Sequence, residues 1–298
     1  MKRIAITTVL DDKYLPGFLI TINSMLKSSK NLNCDLIILE WGDICDDNKA
    51  LIKSLYPNTI FKMVDIASYT DHVYDDTWRK WTYNCNYRFD IFSFTDYDRV
   101  VFFDCDILFQ IDMAELFALD CDFAAAPASK NQVQQIDREI GFEGGLLSIG
   151  KKYLNNQTKS DLIKVALSTP PPAEVKTTRW VSDEPILNTY FLDKITWLPE
   201  KFNLTVDRIT RDHFKTPQNF QFVGHNKPWY STNLLEQFDY FVHETIIKTN
   251  GKYLPSVLLK RLLHLYQIQV KDLQTNGIDI SKYAGAIAPI VDSRHRSR

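Results

Sequence analysis

The feature that most constrains the fold of this chain is a series of short, continuously apolar segments, most of them in its first 125 residues. They do not alternate between apolar and polar residues, so both faces of each strand are expected to be buried, as in a parallel sheet covered by helices. The segments between them have apolar residues three or four positions apart, which is the period of a helix. This pattern predicts an α/β fold with a parallel sheet covered on both faces. The predicted strands cover residues 4–9, 36–39, 60–64 and 99–103, followed by 123–126 and 145–149 around a loop.

The helical patterns place one helix directly after the first strand and two near the C-terminus. No internal repeat and no low-complexity linker divides the chain. Its 298 residues fit one large domain or two small ones, since a domain has about 150 residues. We therefore expect one main domain over residues 1–232 and a C-terminal helical extension over residues 233–298. The predicted helices cover residues 16–26, 48–55, 78–94, 184–190, 234–247 and 256–268.

Composition argues against several classes of protein. With 35 Lys+Arg against 37 Asp+Glu, the net charge is −2, which argues against a generally basic nucleic-acid-binding protein. No run of about 18 apolar residues occurs, so no transmembrane helix is predicted. The five cysteines include no C-x-x-C pair. Their odd number favours a reducing compartment, so we expect a cytoplasmic location.

Two carboxylates follow the fourth predicted strand. Asp104 and Asp106 stand two positions apart, directly after the apolar run that ends at Phe103. In an open α/β sheet, ligands bind in the crevice at the carboxyl ends of the strands. Paired carboxylate oxygens suit Mg²⁺ or Mn²⁺, which usually also binds substrate phosphates. The motif therefore indicates a divalent metal site, with a solvated acidic turn as the alternative.

Six segments, taken in order along the chain, carry a more specific pattern. They occupy residues 4–14, 87–89, 103–106 (F-D-C-D), 142–146 (F-E-G-G-L), 183–188 (D-E-P-I-L-N) and 223–229 (V-G-H-N-K-P-W). This ordered set resembles glycosyltransferase family 8, the group of glycogenin-like and bacterial lipopolysaccharide hexosyltransferases, over residues 3–230. The resemblance implies a GT-A catalytic domain with a Rossmann-like mixed, mostly parallel sheet flanked by helices. It also implies a retaining enzyme that transfers a hexose, glucose or galactose, from a UDP-sugar to a glycan or other hydroxyl acceptor.

The resemblance implies a metal site formed by Asp104, Asp106 and Gln221. The family usually has histidine at the position of Gln221. An amide oxygen binds Mn²⁺ or Mg²⁺, but it is a weaker donor than imidazole for Mn²⁺. We therefore expect the metal to bind with reduced affinity, or only together with the donor diphosphate.

The resemblance also implies a binding site for the UDP-sugar. Tyr14 would stack on uracil, and Asp11 would accept a hydrogen bond from the base or the ribose. A polar turn that caps the first helix is compatible with both roles. Arg88 and Lys227 would bind the diphosphate or the sugar, with a salt bridge at a helix surface and an ordinary surface lysine as the alternatives. The implied set is Val9, Asp11, Tyr14, Arg88, Asp104, Cys105, Gly224 and Lys227.

Three carboxylates are expected near the anomeric carbon of the donor sugar. Glu143 and Glu184 stand where the family has Asn and Gln, and Asp183 precedes Glu184. Together with Arg88, these are the candidate catalytic residues. Retention proceeds through a carboxylate nucleophile or through same-face attack by the acceptor. This leaves three roles for Glu184: nucleophile, orienter of the sugar, or an acid at a helix N-terminus. Asn203 receives no catalytic role.

Alternatives remain for the C-terminal segment and for the function. Residues 253–264 are apolar with adjacent basic residues, so they either pack on the domain or lie on an anionic membrane surface, at the inner face of the membrane. The expected partners are a glycan or a lipid-linked saccharide, and no nucleic acid. The alternative to an enzyme is a carbohydrate- or nucleotide-binding protein with a decayed transferase site. A sugar nucleotidyltransferase is disfavoured, because residues 7–14 contain neither the Gly nor the Arg of its nucleotide loop.

Overall fold

The computed structural model describes residues 2–30, 32–72, 86–128, 140–168, 183–223, 227–230 and 256–283. Several predictions fall outside this part of the chain. They are the helix over residues 234–247, residues 78–85 of the helix over 78–94, the boundary between residues 232 and 233, and the nucleotide-binding role of Gly224.

The described residues form ten strands, which are β1 (Ile4–Val9), β2 (Asp35–Glu40), β3 (Thr59–Met63), β4 (Arg99–Phe103), β5 (Ile107–Leu108), β6 (Phe123–Pro127), β7 (Phe142–Gly150), β8 (Thr196–Trp197), β9 (Leu204–Thr205) and β10 (Phe220–Gln221). Seven of them form one sheet in the order β3-β2-β1-β4-β7-β6-β8. All neighbours in this sheet are parallel except β7, which is antiparallel to both β4 and β6. The mixed, mostly parallel sheet confirms the predicted fold class.

Both faces of this sheet are buried. The consecutive residues Ala5 and Ile6 of β1 belong to two separate apolar clusters, and Phe102 and Phe103 of β4 divide in the same way. Each of these side chains is almost completely buried. Burial on both faces explains why the strands appear in the sequence as continuous apolar runs without alternation.

Helices flank the sheet, and most of them agree with the predicted ones. α1 begins with Pro16 in its first turn, where the missing N–H of proline has no partner to lose. The prediction of a regular helix over residues 78–94 is wrong for its described part, which is a 3₁₀ helix over Tyr87–Ser93. The α-helices are α1 (Leu15–Ser28), α2 (Asp46–Leu55), α3 (Ala114–Phe117), α4 (Asn156–Ser168), α5 (Asp183–Phe191) and α6 (Ser256–Thr275).

A second, three-stranded sheet was not predicted from the sequence. In it, β10 pairs antiparallel with β5 and parallel with β9, which sets Gln221 beside Ile107 and Thr205. The N–H of Phe222 donates to the carbonyl oxygen of Asp106 at 2.9 Å. This small sheet therefore brings Gln221 to the end of β4, next to a residue 115 positions away along the chain.

The C-terminal helix α6 packs against α1. The side-chain amide of Asn23 donates to Gln269 Oε1 at 2.8 Å, and Lys27 Nζ lies 2.5 Å from Asp272 Oδ1. Tyr266 of α6 is fully buried. Of the two alternatives for this segment, the structure shows packing on the domain and gives no support to a membrane contact. Among the described residues, no helix combines the length and the apolar character needed to span a bilayer.

Candidate active site

The loop after β4 is fastened to the two strands beside it. Cys105 lies between the two aspartates, and its thiol donates to the carbonyl oxygen of Val9 at 3.5 Å. The N–H of Asp104 donates to the carbonyl oxygen of Gly145 in β7 at 2.8 Å. Asp104 and Asp106 are thus held at the carboxyl end of a central strand, where the ligands of open α/β sheets bind.

Gln221 lies against both carboxylates. Its Nε2 donates to Asp104 Oδ2 at 2.9 Å and to Asp106 Oδ1 at 3.2 Å. The amide oxygen Oε1 accepts a hydrogen bond from Asn203 Nδ2 at 3.0 Å. The structure therefore brings the three predicted metal ligands together, with the nitrogen of the amide facing the carboxylates and its oxygen engaged elsewhere.

Lys227 is buried, with 5% of its surface exposed, so the alternative of an ordinary surface lysine is wrong. Its Nζ lies 2.5 Å from Asp106 Oδ2 and donates to the carbonyl oxygen of Phe222 at 2.6 Å. Buried charges are normally paired and hydrogen-bonded in this way. The ammonium that was predicted to meet the donor diphosphate is therefore located at the aspartate pair.

Arg88 joins the end of β4 to the start of α5. Its Nη2 lies 3.2 Å from Asp104 Oδ1, and its Nε lies 2.8 Å from Asp183 Oδ2. The third nitrogen, Nη1, donates to the carbonyl oxygen of Gly144 at 2.8 Å, and the guanidinium lies 4.4 Å from the centre of the Phe102 ring. The side chain is only 11% exposed, so this is a buried clamp and the alternative of a salt bridge at a helix surface is wrong.

Asp183 and Glu184 occupy the first turn of α5, and Asn188 fixes this helix against β7. Asn188 Oδ1 accepts from the N–H of Phe142 at 2.9 Å, and its Nδ2 donates to the carbonyl oxygen of the same residue at 3.0 Å. Glu184 Oε1 accepts from the N–H of Gly144 at 3.2 Å. Hydrogen bonds to β7 therefore set the position of α5 through Asn188, and that of the Glu184 side chain directly.

The three carboxylates predicted near the donor sugar lie around one short stretch of β7. A Cβ atom on Gly144 would lie 3.7 Å from Asp183 Oδ2 and 3.9 Å from Glu184 Cβ. Glu143 precedes this glycine and is 3% exposed. The position of these acids is compatible with one sugar-binding region, and their action on a sugar stays a prediction.

Burial disfavours the ionised forms of three of the acids. Although 28% of the Asp104 side chain is exposed in the cleft, desolvation raises its pKa to about 7, against the opposing charge of Arg88. Desolvation, followed by the charge of Asp183, raises the pKa of Glu184 to about 7. Desolvation also raises the pKa of Asp183. An added positive charge in this cleft would favour the ionised carboxylates.

The residues predicted to bind the nucleotide base lie before α1. The N–H of Tyr14 donates to Asp11 Oδ1 at 2.9 Å, so a polar turn precedes α1, but the N-cap residue Tyr14 makes no side-chain capping hydrogen bond and the predicted cap is wrong. Burial raises the pKa of Asp11. The Tyr14 ring is 39% exposed and meets the edge of Trp229, with ring centroids 6.5 Å apart. Nucleotide binding by Asp11 and Tyr14, and by Val9 and Cys105 beside them, stays a prediction.

Sequence reasoning missed the side chain that orients Gln221. Asn203 is fully buried and directly precedes β9, so it reaches Gln221 only because β9 and β10 pair. Strands of two residues have no periodic pattern that could reveal this pairing. Gly145 is a further requirement, because a Cβ atom there would lie 2.3 Å from the amide of Gln221. Its signal in the sequence was its place in the F-E-G-G-L segment.

The donors at the aspartate pair fit a divalent cation once the amide of Gln221 turns. Adjacent ligand oxygens around an octahedral cation, with bonds of about 2.1 Å, lie about 3 Å apart. Gln221 Nε2 lies 2.9 Å and 3.2 Å from the two carboxylates, so an oxygen in its place would have the spacing of a ligand. Among the described residues, no group of three or more His, Cys, Asp or Glu could hold a metal. The fitting set is therefore Asp104, Asp106 and the amide oxygen of Gln221.

Comparison with known proteins identifies the family of this chain. Residues 5–233 match the model described as glycosyl transferase family 8, and the chain belongs to this family. The glycosyltransferase GlyF of Streptococcus pneumoniae serotype 4 (strain ATCC BAA-334 / TIGR4) is 25% identical in an alignment of 253 residues that covers 79% of this chain and 60% of GlyF. The chain thus spans less than two thirds of the length of this relative.

Two solved structures show the same fold. The apo structure of the bifunctional glycosyltransferase WbbM has a TM-score of 0.61 and 18% identity, and the match covers 89% of this chain and 51% of WbbM. The galactosyltransferase LgtC, in complex with donor and acceptor sugar analogues, has a TM-score of 0.61 and 16% identity, with 84% of this chain and 97% of LgtC covered. The fold is therefore GT-A, as the sequence motifs implied.

Proposed function

We propose that this protein is a retaining hexosyltransferase that moves glucose or galactose from a UDP-sugar to a hydroxyl group of its acceptor, with Mn²⁺ or Mg²⁺ at the aspartate pair. The observation that carries the proposal is the Arg88 guanidinium, which joins Asp104 at the strand end to Asp183 at the helix start. A donor of this class needs positive charge at its diphosphate and hydrogen-bond acceptors at its sugar. Arg88 is itself a positive charge, and it holds Asp104 of the proposed metal site next to Asp183, the proposed acceptor for the sugar.

The diphosphate end of the donor would lie at the aspartate pair. Asp104, Asp106 and Gln221 would hold the divalent cation, which stabilises the negative charge on the departing diphosphate when bound. Lys227 contributes a second positive charge, because its ammonium is already fixed 2.5 Å from Asp106. Charges that are held in place before the reaction stabilise the transition state without reorganisation.

The sugar end would lie at the start of α5. The ion pair with Arg88 holds Asp183 in this region, and its carboxylate oxygens suit an acceptor for the sugar hydroxyl groups. Glu184 is held by the N–H of Gly144, and it serves either as the carboxylate nucleophile or as an orienter of the sugar for same-face attack. Glu143 adds a further acid next to this position, so the positive charge that develops on the sugar ring meets carboxylates.

The acceptor is proposed to be a glycan or a lipid-linked saccharide, and the location the cytoplasm. LgtC was solved with an acceptor sugar analogue, which supports a saccharide acceptor for this fold. Four described cysteines have free thiols, as expected in a reducing compartment. They are Cys34, Cys45, Cys105 and Cys121.

A panel of UDP-sugars with Mn²⁺ tests the proposal. We expect the protein to release UDP from UDP-glucose or UDP-galactose, and we expect Asp104→Ala and Asp106→Ala to abolish the release. Asp212→Ala is the matched control, because this side chain is 78% exposed. NMR of the anomeric proton in the product tests retention. Undiminished release by the two aspartate variants would contradict the metal assignment, and no release from any donor would contradict the proposed activity.

A binding protein with a decayed transferase site is the second candidate. It is favoured by the amide nitrogen of Gln221, which hydrogen-bonds both carboxylates and so satisfies them without a cation. Calorimetry with UDP and Mn²⁺, followed by a turnover assay, separates the two candidates. Metal-dependent binding heat without turnover on any donor would support the binding protein, whereas turnover supports the transferase.

A further inference from the structure

Two buried side-chain amides are joined by a hydrogen bond, and one of them contacts the aspartate pair. Asn203 and Gln221 are 0% and 4% exposed, and Asn203 Nδ2 donates to Gln221 Oε1 at 3.0 Å. The other end of the Gln221 amide donates to Asp104 and Asp106. The other end of the Asn203 amide, Oδ1, is buried and has no hydrogen-bond partner within the described part of the chain.

The orientation of Gln221 depends on whether a cation is present. Without a cation, an amide oxygen about 3 Å from two carboxylate oxygens would be repelled, so Nε2 faces them. A divalent cation between these groups requires the opposite orientation, because it binds oxygen and not N–H groups.

Gln221 cannot turn alone. If it did, its Nε2 would meet Nδ2 of Asn203, and two donors would face each other. If both amides turn, Asn203 Oδ1 accepts from Gln221 Nε2, and the hydrogen bond between them is kept. The Asn203 amide turns at little cost, because its Oδ1 gives up no partner within the described residues.

We propose that Asn203 is a positioning residue for the metal site, and that the amides of Asn203 and Gln221 rotate together when a divalent cation binds. The proposal rests on the metal use contained in the proposed function. The backbone supports it, because the pairing of β9 with β10 sets Gln221 beside Thr205, and Asn203 lies two positions before Thr205. Gly145 leaves room for the amide of Gln221, because a Cβ atom there would lie against both ends of the amide.

The variant Asn203→Asp tests this proposal by binding of Mn²⁺, measured from the EPR signal of the free ion with and without UDP. A carboxylate only accepts, so it would bind Gln221 Nε2 and hold Oε1 toward the cation. Outer-shell carboxylates that orient a metal ligand change metal affinity by about 10- to 100-fold. We therefore expect Asn203→Asp to bind Mn²⁺ roughly tenfold more tightly than the wild type.

The added negative charge of Asn203→Asp needs its own control, which is the same substitution in a Gln221→Ala background. If Asn203 acts through the amide, most of the gain disappears in that background. An equal gain in both backgrounds would overturn the positioning role and leave the metal site intact. Mn²⁺ binding by none of the proteins, even with UDP, would overturn the metal use of the proposed function and this proposal with it. Circular dichroism spectra compare the folding of the four proteins.

NMR of the wild-type protein gives a second test, in which variants serve only to assign the signals. The side-chain NH₂ signals of Asn203 and Gln221 are assigned by their loss in Asn203→Asp and Gln221→Glu. We expect both pairs of signals to move together when Mg²⁺ is added to the UDP complex, and neither to move with UDP in EDTA. Signals of Gln221 that move while those of Asn203 stay fixed would overturn the coupled rotation.

Discussion

Arg88 Nε lies 2.8 Å from Asp183 Oδ2, and this ion pair connects the two halves of the candidate active site. The same guanidinium reaches Asp104 through Nη2 and the carbonyl oxygen of Gly144 through Nη1. Two nitrogens of one planar group thus hydrogen-bond Asp104 and Gly144, while the third forms the ion pair with Asp183. A point charge on a flexible stem cannot reproduce this geometry.

The variant Arg88→Lys is therefore expected to lose most of its transfer activity. An ammonium can replace one of the three contacts and leaves at least one of the two carboxylates without its guanidinium partner. We expect kcat to fall roughly 100-fold or more, the size of effect seen when one preorganised charge-stabilising group is removed. Steady-state release of UDP measures it. The control is Arg3→Lys, whose side chain is 55% exposed beside Asp35, and a wild-type rate in Arg88→Lys would contradict the clamp.

Gly145→Ala tests the fit between β7 and Gln221. A Cβ atom at this position would lie 2.3 Å from the amide, so the side chain of Gln221 must move away from the carboxylates. We expect a loss of about 1–3 kcal/mol in the free energy of unfolding, which is typical of overpacking, and loss of Mn²⁺ binding. Urea denaturation and EPR measure the two effects.

The double variant Gly145→Ala/Gln221→Ala provides the control for this prediction. Removal of the glutamine side chain frees the space that the new methyl group needs. We expect Gly145→Ala to destabilise the Gln221→Ala protein much less than the wild type. The same destabilisation in both backgrounds would mean that the methyl group clashes with another part of the protein.

The main sheet could be predicted from the sequence because its strands are buried on both faces. β4 was predicted at its observed bounds, and β1 to β3 within one residue of theirs, since a short continuous apolar run between turn signals favours a buried strand. The small sheet could not be predicted, because two-residue strands such as β9 and β10 exist only through the contacts they make in the folded protein.

The candidate site, like the fold, could be predicted from the sequence only in part. The family resemblance implied that Asp104, Asp106 and Gln221 belong to one site, and the structure brings them together. It could not indicate which end of an amide faces the carboxylates, because this depends on Asn203 and on a strand pairing without a pattern. Nor could it show that Lys227 already pairs with Asp106, since burial of a lysine depends on the elements that cover it.

The variant Lys227→Met is expected to change the affinities for Mn²⁺ and for UDP in opposite directions. In the wild type, the ammonium would compete with a cation for Asp106, because Nζ lies 2.5 Å from Oδ2. We expect the variant to bind Mn²⁺ more tightly than the wild type when UDP is absent, and to bind UDP more weakly when Mn²⁺ is present. EPR and calorimetry measure the two affinities. Lys215→Met is the control at a side chain that is 75% exposed, and a parallel loss of both affinities in Lys227→Met would contradict the competition.

The stability of the protein is expected to depend on pH through Glu184. Its pKa is raised from an ordinary 4.5 to about 7 by burial and by Asp183, so between these values the folded protein binds more protons than the unfolded chain. Stability therefore falls as the pH rises from about 4.5 to about 7, and this contribution is constant above that range. Glu184→Gln lacks the titration, while its side-chain oxygen still accepts from the N–H of Gly144. The thermal midpoint of the variant should rise relative to the wild type between pH 5 and pH 7 and stay level to pH 8. The control is Glu115→Gln, at a side chain that is 49% exposed, and it should show no such change. A constant difference between Glu184→Gln and the wild type from pH 5 to pH 8 would mean that Glu184 is not desolvated in the folded protein.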